Sequence, residues 1–129
     1  MNQKQTILYV EDNLDNFKLV NRILAVEGFS VYNAVDSRDA YAFLSQQTPD
    51  LILMDINLPE VDGYTLASQL RQQPEWAEIP IVALTANVMK QDREKSLAAG
   101  CSGFIKKPID VDELPEQIRY YLSITTKVS

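Results

Sequence analysis

Short apolar runs alternate along this chain with longer stretches in which hydrophobic residues recur every three or four positions. Thr6-Ile7-Leu8-Tyr9-Val10 is the first run, closed by the polar Glu11-Asp12-Asn13. Leu14, Phe17, Val20, Ile23 and Leu24 follow at helical spacing, so a helix with these residues on its inner face is expected. Gly28 stands just past it, where a left-handed cap is wanted. Ser30 to Val35 reads as a second strand. Ser37 then offers a cap for a helix carrying Ala40, Phe43 and Leu44 on one face.

Pro49-Asp50 interrupts the chain before Leu51-Ile52-Leu53-Met54, apolar at every position and ended by Asp55. Such a run fits a strand covered on both faces, the habit of parallel sheets layered with helices. A loop with Pro59 and Asp62-Gly63 precedes a third helix marked by Leu66, Ala67 and Leu70. Gln73 to Glu78 reads as a loop pinned by Trp76, with a contact surface as the alternative. Pro80 opens a second fully apolar run, Ile81-Val82-Ala83-Leu84. A polar helix from about Lys90 to Ala99 stops at Gly100, and Phe104-Ile105 makes a fifth short strand. Asp110 and Glu113 have capping-box spacing for a last helix with Leu114, Ile118, Tyr121 and Leu122 inside. Pro115 removes a donor from that helix, so an irregular first turn or a start later than Asp110 is expected. Ser123 to Ser129 reads as a short polar-leaning tail.

Five strands alternating with five helices specify an α/β fold, a parallel sheet joined by right-handed crossovers. The 129 residues suit one domain, with a core spanning about 6–122. Hydrophobic residues at 46% and charged residues at 23% fit a globular chain. A net charge of -6 argues against direct nucleic-acid binding or an anionic membrane held by charge. The absence of histidine removes the Ser-His-Asp triad, a histidine base and histidine metal ligands. One cysteine, Cys101, excludes an internal disulfide and a cysteine zinc cluster, and it reads as a semi-buried small residue. No apolar run reaches spanning length, and Met1 to Gln5 lacks a signal-peptide core, so no membrane insertion and a cytoplasmic setting are expected.

In doubly wound sheets, ligands sit beyond the carboxyl ends of the strands. Those ends carry Glu11-Asp12, Asp55, Thr85 and Lys106-Lys107. Three carboxylates converging on one edge repel one another, and a hard divalent cation such as Mg²⁺ offsets that. An acidic site with a lysine and a hydroxyl suits phosphoryl transfer, with a carboxylate as nucleophile. Each residue also has a plainer role open to it: Asp12 or Asn13 as a helix cap, Asp55 as a loop carboxylate, Thr85 as a strand residue, Lys107 as a surface charge. The combination at four strand ends is what points to chemistry.

The chain resembles response-regulator receiver domains of two-component signalling from about Thr6 to Leu122. The resemblance is carried by Glu11-Asp12, by Asp55-Ile56-Asn57-Leu58-Pro59 with Asp62-Gly63, by Leu84-Thr85-Ala86 and by Lys107-Pro108. Its overall pattern is close to single-domain regulators of the cell-polarity type and to receivers of hybrid kinases. It implies a flavodoxin-like (βα)5 fold with strand order 2-1-3-4-5. It implies Asp55 as phosphoacceptor, and Mg²⁺ held by Asp12, Asp55 and the Asn57 carbonyl, with Glu11 acting through water. Thr85, the Ala86 N–H and Lys107 would bind the phosphoryl group, and Lys107-Pro108 would be a cis peptide. Lys107 is preferred to Lys106 because it directly precedes the proline, and alternation puts the two on opposite faces. Thr85 and Phe104 would form a switch acting on the surface of the fourth helix, fifth strand and fifth helix. The sparse apolar content of Lys90 to Ser96 fits a lightly anchored helix there, with a plain solvated face as the alternative.

The implied partners are a histidine kinase or histidine phosphotransfer protein and a downstream protein target, with the chain a monomer or weak phosphorylation-dependent dimer. It would not be an enzyme beyond phosphorylating and dephosphorylating itself at Asp55. Glu11 departs from the commoner Asp, and Asn57 and Asn87 flank the attack path. An interaction module independent of phosphate, a Mg²⁺-dependent aspartyl phosphatase and a flavin carrier are the competing readings. The phosphatase usually places its nucleophile after the first strand with a second Asp two residues on, and Glu11-Asp12-Asn13 lacks that spacing. The flavin carrier needs a hydroxyl-rich loop where this chain is acidic.

Overall fold

The computed structural model describes residues 4–58, 62–86 and 90–126, with the side chains of 90–93, 125 and 126 excepted. Five strands, β1 (Thr6–Val10), β2 (Ser30–Ala34), β3 (Leu51–Asp55), β4 (Ile81–Thr85) and β5 (Gly103–Lys106), form one parallel sheet in the order β2-β1-β3-β4-β5. Five helices alternate with them: α1 (Leu14–Ala25), α2 (Ser37–Leu44), α3 (Gly63–Arg71), α4 (Lys90–Ala98) and α5 (Leu114–Thr126). Pro59, Asn87 and the tail beyond 126 lie outside the described residues.

The central strands are buried at every position because both sheet faces are covered. Alternate side chains therefore feed two separate cores. Ile7, Tyr9, Leu51, Leu53, Val82, Leu84 and Ile105 pack with α1 and α5, through Val20, Leu24, Ile118 and Leu122 among others. Leu8, Val10, Ile52, Met54, Ile81 and Ala83 pack with α2 and α3, through Ala40, Leu44, Leu66 and Leu70. The same alternation continues past the strand ends and decides which face each polar residue takes.

The expected element ends hold with four local corrections. Asp36, not Ser37, caps α2: its Oδ1 accepts from the Asp39 N–H at 2.9 Å, and Ser37 is the first helical residue. An extended backbone at Asp36 aims its short carboxylate at that amide, while Ser37 has already entered the helix. Leu14 is 57% exposed, since it precedes the turn at which α1 meets the sheet. Gly63 belongs to α3 rather than to the preceding loop, with Asp62 as its cap. Residues 123–126, expected as tail, continue α5.

The last helix begins at Leu114, as the placement of Pro115 demands. Proline occupies its second position, where the missing N–H would have no partner within the helix, and Asp110 Oδ1 accepts from the N–H groups of Asp112 and Glu113 ahead of it. Gly28 has φ +94° and ends α1 as expected. Arg71 ties three segments together by donating to the carbonyls of Gly100, Trp76 and Ala77. Trp76 lies in a short 3-10 turn, Pro74–Trp76, with its ring 5.7 Å from that of Tyr41. Cys101 is buried, and burial pushes its thiol up to about 11, which leaves little thiolate at neutral pH.

At Gly103 the need for glycine is steric. A Cβ there would lie 2.3 Å from the Tyr121 ring, which crosses the start of β5 and donates its hydroxyl to the Phe104 carbonyl at 3.3 Å. Gly103→Ala is expected to lower unfolding free energy by about 2 kcal/mol in urea denaturation, and Tyr121→Ala in the same chain to recover part of that loss. Equal stability of Gly103→Ala and the wild type would show that the ring moves aside freely.

Candidate functional site

The site forms where β1, β3, β4 and β5 end on the same edge of the sheet. Period two carries the row of Ile7 and Tyr9 on to Glu11, and the row of Leu51 and Leu53 on to Asp55. Both rows belong to the α1/α5 face. Ile105 lies on that face too, so Lys107 follows it while Lys106 points the other way and is exposed. This is the outcome expected for the two lysines.

Asp55 is 4% exposed, and its Oδ1 accepts from Lys107 Nζ at 3.0 Å and from the Asn57 N–H at 3.0 Å. Lys107 is thus an ion-pair partner and not a solvated surface charge. Its own N–H donates to the Thr85 carbonyl at 2.8 Å, which anchors the segment carrying the lysine to the end of β4. The Lys107-Pro108 peptide is cis, as the resemblance implied. Thr85 is the last residue of β4, 6% exposed and one strand from Asp55.

Asn13, not Asp12, caps α1, its Oδ1 accepting from the Asn16 N–H at 3.0 Å. Asp12 is left exposed, with a carboxylate oxygen close to the neighbouring acids. One oxygen each of Glu11, Asp12 and Asp55 lie within 4.8 Å of one another. The loop after Asp55 is fixed by α3: a Cβ on Gly63 would fall 2.6 Å from the Asp55 carbonyl oxygen, and the Gly63 N–H donates to the Ile56 carbonyl. Only glycine lets the helix start approach the strand end this closely.

Glu11 is buried at 1% exposure. Burial pushes its carboxyl above the usual carboxylate range and the Asp55 carboxylate adds to this, while the Asn13 N–H and the Tyr9 hydroxyl pull the other way. Tyr9 Oη donates to Glu11 Oε1 at 2.9 Å, and the Asn13 N–H donates to Oε2 at 3.1 Å. Burial first, and then the Glu11 charge, raise the Tyr9 hydroxyl well above the ordinary phenol value, so it stays a donor. Asn33 Nδ2 braces the same corner by donating to the carbonyls of Tyr9 and Glu11. Sequence reasoning did not single out Tyr9 or Asn33. Tyr9 carried a usable signal: it stands two residues before Glu11 on the same strand, hence on the same face.

Three close carboxylates with one paired lysine among the described residues, all oxygen donors, and one acid buried against its preference fit a small hard cation. The donor set is unsuited to soft metals, having neither thiolate nor imidazole. Phe104 is half-buried against the α2/α3 core. Among the side chains described in α4, only Ser96 is buried, and its hydroxyl has no hydrogen-bond partner there. The exposure of its other described side chains suits a lightly anchored helix and a plain solvated face alike.

Comparison with known proteins matches this geometry. The response regulator receiver domain family matches residues 7–119. The polar-differentiation response regulator DivK of Brucella anthropi is 37% identical over 118 residues, covering 92% of this chain and 96% of its own. The receiver domain of a sensor histidine kinase from Pseudomonas aeruginosa, solved with a magnesium ion coordinated in its active-site cleft, superposes with a TM-score of 0.84 at 36% identity, covering 94% of this chain and 99% of that one. The signal receiver domain of a histidine kinase from Syntrophus aciditrophicus gives 0.86 at 34% identity, covering 97% and 95%. With its sheet order, its acidic edge and a family match over nearly its whole length, this chain belongs to the response regulator receiver domains of two-component signalling.

Proposed function

We propose that Asp55 is the phosphoacceptor of this receiver domain and that the chain works as a phosphorylation switch. The observation that carries this reading is the buried Asp55 carboxylate held by Lys107 Nζ at 3.0 Å, beside two further acids. The donor is a phosphohistidine on a histidine kinase or phosphotransfer protein. An Asp55 oxygen attacks phosphorus, the new O–P bond forms as the P–N bond breaks, and the imidazole leaves with the electron pair. Lys107 lies where it can pass from the carboxylate to the incoming phosphoryl oxygens. The Thr85 hydroxyl and the Ala86 N–H bind the same group from the β4 side. Water attack on phosphorus later releases phosphate and restores Asp55.

Mg²⁺ would be held by Asp12, Asp55 and the Asn57 carbonyl, with Glu11 acting through water, and supplies neutralisation of the charge on the transferring group. Thr85 drawn toward the phosphoryl group, with Phe104 turning inward, passes the change to α4, β5 and α5 and so to a protein target. The setting for such a relay is the cytoplasm, and no described helix is long and apolar enough to cross a membrane. A phosphatase reading gains no support, since the lysine-paired acid stands at the end of β3 and not of β1.

Intact mass after incubation with a small amidophosphate donor and Mg²⁺ is expected to rise by one phosphoryl group. Asp55→Asn or excess EDTA is expected to abolish the gain, and labelling that persists in Asp55→Asn would move the acceptor elsewhere. Thr85→Ala is expected to remain phosphorylated while losing most of the phosphorylation-dependent change in target affinity. An unaltered change would remove Thr85 from the switch. In EDTA, Asp12→Asn is expected to raise unfolding free energy by about 1 kcal/mol, the size of one like-charge repulsion at ~5 Å in water-like surroundings. Urea denaturation with and without Mg²⁺ checks this, and the stabilisation by Mg²⁺ expected of the wild type should shrink in the variant.

A further inference from the structure

Resting on the reading of the acidic edge as a Mg²⁺ site, we propose that Tyr9 is a positioning residue for the metal, acting through Glu11. A glutamate has one more rotatable bond than an aspartate and loses more freedom when fixed. At this site that freedom is removed in advance. The Tyr9 hydroxyl holds Oε1 at 2.9 Å and the Asn13 N–H holds Oε2 at 3.1 Å. One donor comes from the strand before the acid and the other from the cap of the helix after it, so the carboxylate is gripped from both sides.

Tyr9 suits this role because it is packed in on every side. It is fully buried in the α1/α5 core, with its ring 6.4 Å from that of Phe17. Its main chain is fixed by the Asn33 amide, which donates to the carbonyls of Tyr9 and Glu11. Partners that orient a direct metal ligand typically change metal affinity ~10–100-fold when lost, and a partner of an acid that reaches the ion through water falls at the low end of that range. Tyr9 does not reach the ion. It sets where Glu11 waits, and with it how the longer acid serves a cation shared with Asp12 and Asp55.

Calorimetric titration with Mg²⁺ alone tests this without any phosphorylation. Tyr9→Phe keeps the ring and is expected to weaken Mg²⁺ binding about tenfold. Glu11→Asp shortens the side chain by one carbon, about 1.5 Å, and takes the carboxylate out of reach of the hydroxyl. Adding Tyr9→Phe to Glu11→Asp is therefore expected to change the affinity less than about twofold. A Tyr9→Phe protein that binds Mg²⁺ as the wild type does would overturn the role. So would an equal loss in both backgrounds, since a packing defect does not depend on the length of residue 11. If Tyr9→Phe folds poorly, the comparison of Glu11→Asp with its double variant still decides, because a purely structural tyrosine would there cost affinity as well. A wild type that binds no Mg²⁺ would defeat the metal site itself, a different failure from a wild type that binds and a Tyr9→Phe that binds equally.

Discussion

Crowding of negative charge at one sheet edge is the constraint on which this structure depends. Oxygens of Glu11, Asp12 and Asp55 share a space 4.8 Å across, and two of these acids are almost wholly buried. A folded chain tolerates that only where the surrounding groups are fixed and oriented. Each of the two buried acids is accordingly held by rigid elements: Glu11 by Tyr9 and Asn13, and Asp55 by Lys107 and the Asn57 amide. The fully buried β3 and β4 supply the stiffness beneath them. Core and site are thus parts of one arrangement, since the alternation that fills two hydrophobic layers also aims the acids and the lysine at a common point.

That arrangement explains why so much was legible in the sequence. In a parallel sheet every strand runs the same way, so the residue after each apolar run falls on the same edge. Asp55, Thr85 and Lys107 could be placed there from order alone, and period two separated Lys107 from Lys106. Pro115 announced the late start of α5 because a missing N–H is harmless only in a helix's first turn.

Less legible were the features set by local angles or by contacts between distant segments. Asp36 and Ser37 are both competent caps, and only the backbone torsion at Asp36 decides between them. Leu14 has helical spacing with Phe17 yet precedes the contact with the sheet, so periodicity alone overstates its burial. Tyr9 reads as one more apolar residue in a strand, and its hydroxyl gains meaning only once Glu11 is known to be buried beside it. Asn33 is on another strand altogether, and no spacing rule connects it with the corner it braces.

Arg71 gives the molecule an asymmetry of motion. Its Nε donates at 2.8 Å to the carbonyl of Gly100, just past the end of α4, and its guanidinium also grips Trp76 and Ala77. One end of α4 is therefore clamped to α3, while the other follows the loop that leaves Thr85. A rod held at one end turns about that end. Whatever freedom α4 has therefore lies at its start, on the side of the sheet edge where the acids gather, and not near Gly100.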